Sequence, residues 1–140
     1  MDVASLPTSA APWLTAAEAA FALSRLGEGL AAAFETIAVS SASAYGVRRV
    51  ALASRSRVLG EHAQSVVTLV PESVLLADAR ALGSVAANDY PRDAEALVVA
   101  LERDLATISA QASEVADAAL LRLIPQIASD LGAARRSLSA

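Results

Sequence analysis

The segment from Pro91 to Val115 constrains the fold more than any other. Ala94, Val98, Leu101, Leu105, Ile108, Ala112 and Val115 recur there at spacings of four and three. That alternation lines one side of an α-helix with apolar side chains, the seam of a helical bundle. Asp93, Glu95, Arg103 and Asp104 fall off the seam and are expected to face water. Pro91 suits a first helical turn, where its missing N–H costs nothing, and Asp93 complements the positive helix start. Such a seam buries nothing alone, so the chain must supply partner helices.

It supplies three. Thr15-x-x-Glu18 reads as a capping box, with Leu14 placed as half of a hydrophobic staple. The helix it opens runs to about Ser41 on a seam of Ala19, Leu23, Leu26, Leu30, Ala33 and Ile37. Serines 40, 41 and 43 weaken it, and Ser43 can cap a second helix from about Ala44 to Val70, which Pro71 ends or kinks. The second seam, Leu52, Arg55, Leu59, His62, Val66 and Leu69, contains two polar residues. Glu72 to Ala87, with Leu75, Leu76, Ala79, Leu82 and Val85, reads as a short crossing helix or a partly helical connection, and Asn88-Asp89-Tyr90-Pro91 as a break. A last helix opens near Asp117 on Leu120, Ile124, Ile127, Leu131, Ala134 and Leu138, with Pro125 kinking but not ending it. The four long helices, of about 22–27 residues, would each span roughly 33–40 Å. Short first and last connections and a long middle one describe an all-α, up-down four-helix bundle. Residues 1–14 are expected to form an extended arm pinned by Trp13, and residues 15–140 a single domain.

Composition narrows the chemistry. The chain is 55% hydrophobic, largely through alanine, the best helix former. Its eleven cations are all arginine, scattered apart from two adjacent pairs, and the net charge is −4. A nucleic-acid partner would need a concentrated basic face, so none is expected. With no cysteine there is no disulfide, thiolate nucleophile or thiolate metal site. A mean hydropathy of +0.47 raises the question of a membrane. The uncharged run Thr36 to Val47 is serine-rich and falls short of the roughly 20 apolar residues a span requires. The first residues also lack the basic start and apolar run of a signal peptide, so a cytoplasmic protein without a membrane partner is expected.

Several positions also carry a resemblance. A glutamate in Gly27-Glu28-Gly29, a histidine in Glu61-His62 and an Ala/Pro-containing connection are part of it. The rest is Asp93-Ala94-Glu95-Ala96-Leu97, followed by Leu101-Glu102 and Leu105-Ala106. Through these, residues 20–138 resemble the ferritin-like superfamily, in particular its small alanine-rich members. Metal-binding members of that superfamily use a glutamate on each of two helices and Glu-x-x-His on the other two. Carried over, Glu28, His62 and Glu102 occupy matching regions, while the last helix offers Gln126, with Asp130 its nearest carboxylate. His62 is the sole histidine, and the adjacent Glu61 diverges from it by about 100° around the helix. No Glu-x-x-His exists. The resemblance therefore implies the fold without its dimetal centre, and no metal, cofactor or catalytic residue is expected.

Arg55 and His62, seven residues apart, point the same way from the second helix. Two readings stand. One is a polar pocket in which Glu28 or Glu102 answers the arginine and a small acid or a metal binds. The other is an internal ion pair with a hydrogen-bonded histidine, or two side chains reaching the bundle edge. Glu18, Arg25, Glu28 and Glu35 read as a solvated face with an Arg25–Glu28 pair. Apolar residues exceed what four seams consume: Phe21 and Phe34 flank the first seam, Leu97 and Val99 widen the third, Leu121 and Leu123 the fourth, and Val74, Leu75 and Leu76 lie outside all of them. Phe21, Phe34, Leu75 and Leu76 are the candidate interface residues. The function expected is non-catalytic: self-association as a homodimer, or binding of another protein. The alternative is a residual small-ligand or single-metal site near Glu28, His62 and Glu102.

Overall fold

The computed structural model describes residues 14–113 and 117–140. The expectations for the N-terminal arm, Trp13 and Val115 lie outside the described residues. The described residues form five α-helices: α1 (Ala16–Ala42), α2 (Gly46–Thr68), α3 (Ala77–Ala86), α4 (Ala94–Gln111) and α5 (Ala118–Ser139). Short 3₁₀ turns at Val74–Leu76 and Ala87–Asp89 flank α3. The described residues contain helix and connections and no strand.

The local signals act largely as expected. Thr15 Oγ1 accepts from the Glu18 N–H at 3.2 Å, and the Thr15 N–H donates to Glu18 Oε1 at 3.0 Å, completing the capping box. Leu14 is buried against the core. Asp93 caps α4 through the Ala96 N–H at 3.0 Å, so the helix begins three residues after Pro91 and does not include it. It ends at Gln111, where Ala112 turns extended, which makes α4 shorter than expected at 18 residues. Ser43 closes α1 and does not open α2, whose cap position is Tyr45 with no side-chain bond. Asp117 spends its carboxylate on the Ser113 N–H at 2.8 Å and makes no side-chain cap on α5. Pro125 sits inside a single continuous α5, where its missing N–H lies on the exposed side.

The seams meet in one core. Leu26, Leu30 and Ile37 of α1, Leu52, Leu59 and Val66 of α2, Val98, Leu101 and Leu105 of α4, and Ile127 and Leu131 of α5 are almost wholly removed from water. Leu97, read as an addition beside the seam, is itself a core residue, and Leu121 and Leu123 pack half-buried on the core. Part of the apparent apolar surplus is thus used internally.

Contacts close a ring in which α1 touches α2, α2 touches α5, α5 touches α4 and α4 touches α1. Each pair is antiparallel. Between α1 and α2, Ser41 Oγ donates to the Arg49 carbonyl at 3.0 Å and Ser56 Oγ to the Phe34 carbonyl at 2.7 Å, so one chain ascends as the other descends. Between α4 and α5, Glu102 meets Arg135 and Glu95 meets Ser139. It follows that α2 and α4 run the same way, which corrects simple up-down alternation to up, down, down, up. The reason is the middle connection, which carries the chain back along the outer side of α1. There α3 lies so close that a Cβ on Gly83 would stand 2.2 Å from the Phe21 carbonyl oxygen. Only glycine permits that approach.

Candidate functional site

Three polar arrangements mark the fold, and each grows from the ring just described.

The first joins α2 to α5. Three residues spaced by seven, Arg48, Arg55 and His62, look toward α5 along one side of α2. Arg48 Nη1 donates to the carbonyls of Ser137 and Ala140 at 2.8 and 2.7 Å. Arg55 Nε reaches Ser137 Oγ at 3.4 Å. His62 Nε2 lies 2.6 Å from Asp130 Oδ2, an N–H donating to a carboxylate. His62 is 8% exposed, and no buried side-chain polar atom among the described residues lacks a partner. Asp130 answers the histidine, and neither Glu28 nor Glu102 answers Arg55 as the pocket reading expects. Arg55 meets a hydroxyl, and among the described residues no carboxylate pairs with it.

The second arrangement joins α1 to α4. Asp104 accepts from both the Arg25 guanidinium and the Tyr90 hydroxyl. Arg25 also donates to the Ala86 carbonyl at 3.4 Å, and its guanidinium carbon lies 4.2 Å from the Tyr90 ring centroid. Burial raises the Tyr90 hydroxyl well above the ordinary tyrosine pKa; the Asp104 carboxylate adds to the shift and Arg25 opposes it. The anticipated Arg25–Glu28 pair is absent, and Asp104 does not face open water. Sequence spacing favours Glu28, one turn away, but folding brings Asp104 to the arginine together with a buried acceptor-seeking phenol.

The third is a cleft of about 600 Å³ between α1, α2 and α3. Gly27, Ala31, Ala63, Val67 and Val70 give it an apolar wall, and Ser24, Glu28, Gln64, Glu72, Arg80 and Ser84 give polar edges. Small residues on α1 and α2 leave the space open. Arg80 is held by the carbonyls of Pro71 and Ser73 at 2.7 and 2.9 Å.

The four residues singled out from sequence do not converge. Glu28 borders the cleft, Arg55 and His62 face α5, and Glu102 pairs with Arg135 at 2.9 Å on the α4–α5 side. No group of three metal-competent side chains forms among the described residues. Of the interface candidates, Leu75 is 93% exposed and Phe34 41% exposed, while Phe21 and Leu76 are half-buried. Sequence reading missed the Arg25–Tyr90–Asp104 cluster. A lone tyrosine in the break before α4 was its only local signal.

No helix of the described residues is long and apolar enough to cross a membrane. No known family model, characterised protein or solved structure matches the chain.

Proposed function

We propose that the chain is a ferritin-like helical bundle without a dimetal centre, acting by association with a second copy of itself. The one long crossover between the second and third long helices supports the superfamily reading, since that topology distinguishes ferritin-like bundles from simple alternating ones. The positions of the carboxylates support the reading without a dimetal centre. Glu102 is neutralised by Arg135, Asp130 is engaged by His62, and Glu28 stands on the outer side of α1. Elemental analysis of purified protein should find no stoichiometric iron, manganese or zinc. One or two metal ions per chain, lost in His62→Ala, would overturn this.

The observation carrying the association is the crossover itself. Val74, Leu75, Leu82 and Val85 all stand exposed on it. Soluble monomers seldom present more than a few hundred Å² of contiguous apolar surface, and a two-fold dimer is the commonest closed remedy. Light scattering at micromolar concentration should give a particle near twice 14.3 kDa. Leu75→Glu should return it to one chain without loss of helix content. A wild-type particle of 14.3 kDa would sink the proposal.

A further inference from the structure

The cleft between α1, α2 and α3 holds two opposite charges side by side that do not neutralise each other. Arg80 donates through Nη1 to the carbonyls of Pro71 and Ser73, the residues on either side of Glu72. The main chain of Glu72 is thereby held against the guanidinium, yet no ion pair joins the two side chains. Among the described residues, neither Arg80 Nε and Nη2 nor the Glu72 carboxylate has a hydrogen-bond partner. Both residues line the cleft.

Aliphatic surface lies next to this pair. The lining positions are 24, 27, 28 and 31 on α1 and 63, 64 and 67 on α2, so each helix turns one flank to the space. Gly27, Ala31 and Ala63 on those flanks are too small to fill it, and Val67 and Val70 complete the wall. Glu28 and Gln64 stand exposed at the rim, and neither side chain has a partner among the described residues. The volume of about 600 Å³, with an apolar wall and a few polar groups, is that of a small-molecule site.

We propose that the cleft binds a free aliphatic α-amino acid of about the size of leucine. Arg80 Nε and Nη2 form the side of the guanidinium that takes a carboxylate through two parallel bonds, and the carbonyls on Nη1 already hold that side in place. The Glu72 carboxylate accepts from the ammonium. The aliphatic side chain lies on Val67 and Val70, over Ala31 and Ala63. The signs of charge select a zwitterion. A plain acid meets the repulsion of Glu28 and Glu72, and a plain amine leaves Arg80 unanswered. Such binding is independent of the self-association proposed above.

Isotope-labelled protein titrated with L-leucine to about 10 mM should show saturable shifts at the amides of Gly27, Ala31 and Val67. Isoamylamine, which lacks the carboxylate, and isocaproate, which lacks the ammonium, should each bind about tenfold more weakly or worse, the loss of one charged hydrogen-bonded contact. Glu72→Gln alters an exposed side chain that bonds to nothing in the described fold, so it should weaken leucine by about tenfold and leave the melting temperature unchanged. Ala31→Leu puts a larger side chain into the lining and should abolish binding. No saturable shift at about 10 mM overturns the assignment, as does saturation confined to amides outside α1, α2 and α3. Equal affinity for the amine or the acid alone, or full binding by Glu72→Gln, overturns it as well.

Discussion

Gly83→Leu is expected to lift α3 off α1 while the ring of four long helices stays folded. A side chain there begins with a Cβ 2.2 Å from the Phe21 carbonyl oxygen and 3.0 Å from Ser24 Cβ. Backbone inside a 27-residue helix cannot retreat from it, so the cost lies at the upper end for overpacking, about 3 kcal/mol. Within α3 itself only Ala79 and Gly83 are buried, so little holds the helix down against that strain. The outcome is local opening, not global unfolding. Amide exchange in α3 should accelerate by roughly a hundredfold, the equivalent of about 3 kcal/mol, with little change for the amides of Leu26, Leu59 or Leu105. Unchanged protection across α3 would mean that the close approach does not hold the crossover in place. If each α3 serves the partner copy as well, the same substitution should also yield monomers.

Asp104→Ala is expected to be the most damaging single change at a polar residue. It strips acceptors from the Arg25 guanidinium and the Tyr90 hydroxyl together, and Tyr90 is only 7% exposed. Loss of a hydrogen bond to a charged group, with a buried phenol left unanswered, amounts to roughly 3 kcal/mol in denaturant unfolding. The more open Arg135–Glu102 pair makes the contrast. Glu102→Ala should cost less than about 1 kcal/mol, as exposed ion pairs do. Equal losses from the two substitutions would contradict this reading.

The same cluster gives an alkaline signature. Because the folded Tyr90 is shifted upward, the unfolded chain releases its proton first, above about pH 10. The unfolded state then binds fewer protons, and stability falls with pH by about 1.4 kcal/mol per unit there, whereas below pH 10 this group contributes no slope. Tyr90→Phe should abolish that component, and a slope unchanged in the variant would assign it elsewhere.

The seam of α1 could be read from sequence because its information is local. Ala19, Leu23, Leu26, Leu30, Ala33 and Ile37 repeat on one side of a helix, and all six are buried. Seams of this kind fix which side of each helix faces inward, and the capping box at Thr15 fixes where the first one starts. What meets across helices is another matter. Arg25 pairs with a residue 79 positions away because the crossover returns along α1 and delivers Tyr90 and α4 beside it. No spacing rule contains that path. Asp104 shows the limit well: its phase places it off the apolar seam, which is correct, but off the seam need not mean in water where a second helix passes alongside. For His62, sequence left a pocket and an ion pair as alternatives, and the answer depended on whether Asp130, the one carboxylate of α5, came level with it.

That last contact has a consequence for how α2 and α5 align. Both helices repeat their apolar residues every seven positions, so sliding one along the other by two turns exchanges leucines for leucines and changes the buried area little. Burial alone would leave several alignments nearly degenerate. The polar residues distinguish them. A slide one way brings Arg55 level with Asp130 but leaves His62 against Leu123; the opposite slide sets Asp130 against Leu69. Either misalignment strands a polar group in an apolar contact, at a cost of about 1–3 kcal/mol for a neutral group and more for a carboxylate. Asp130→Leu should therefore remove a penalty as well as a bond, giving helices that still pair but no longer agree on a single offset, visible as duplicated resonances for α5.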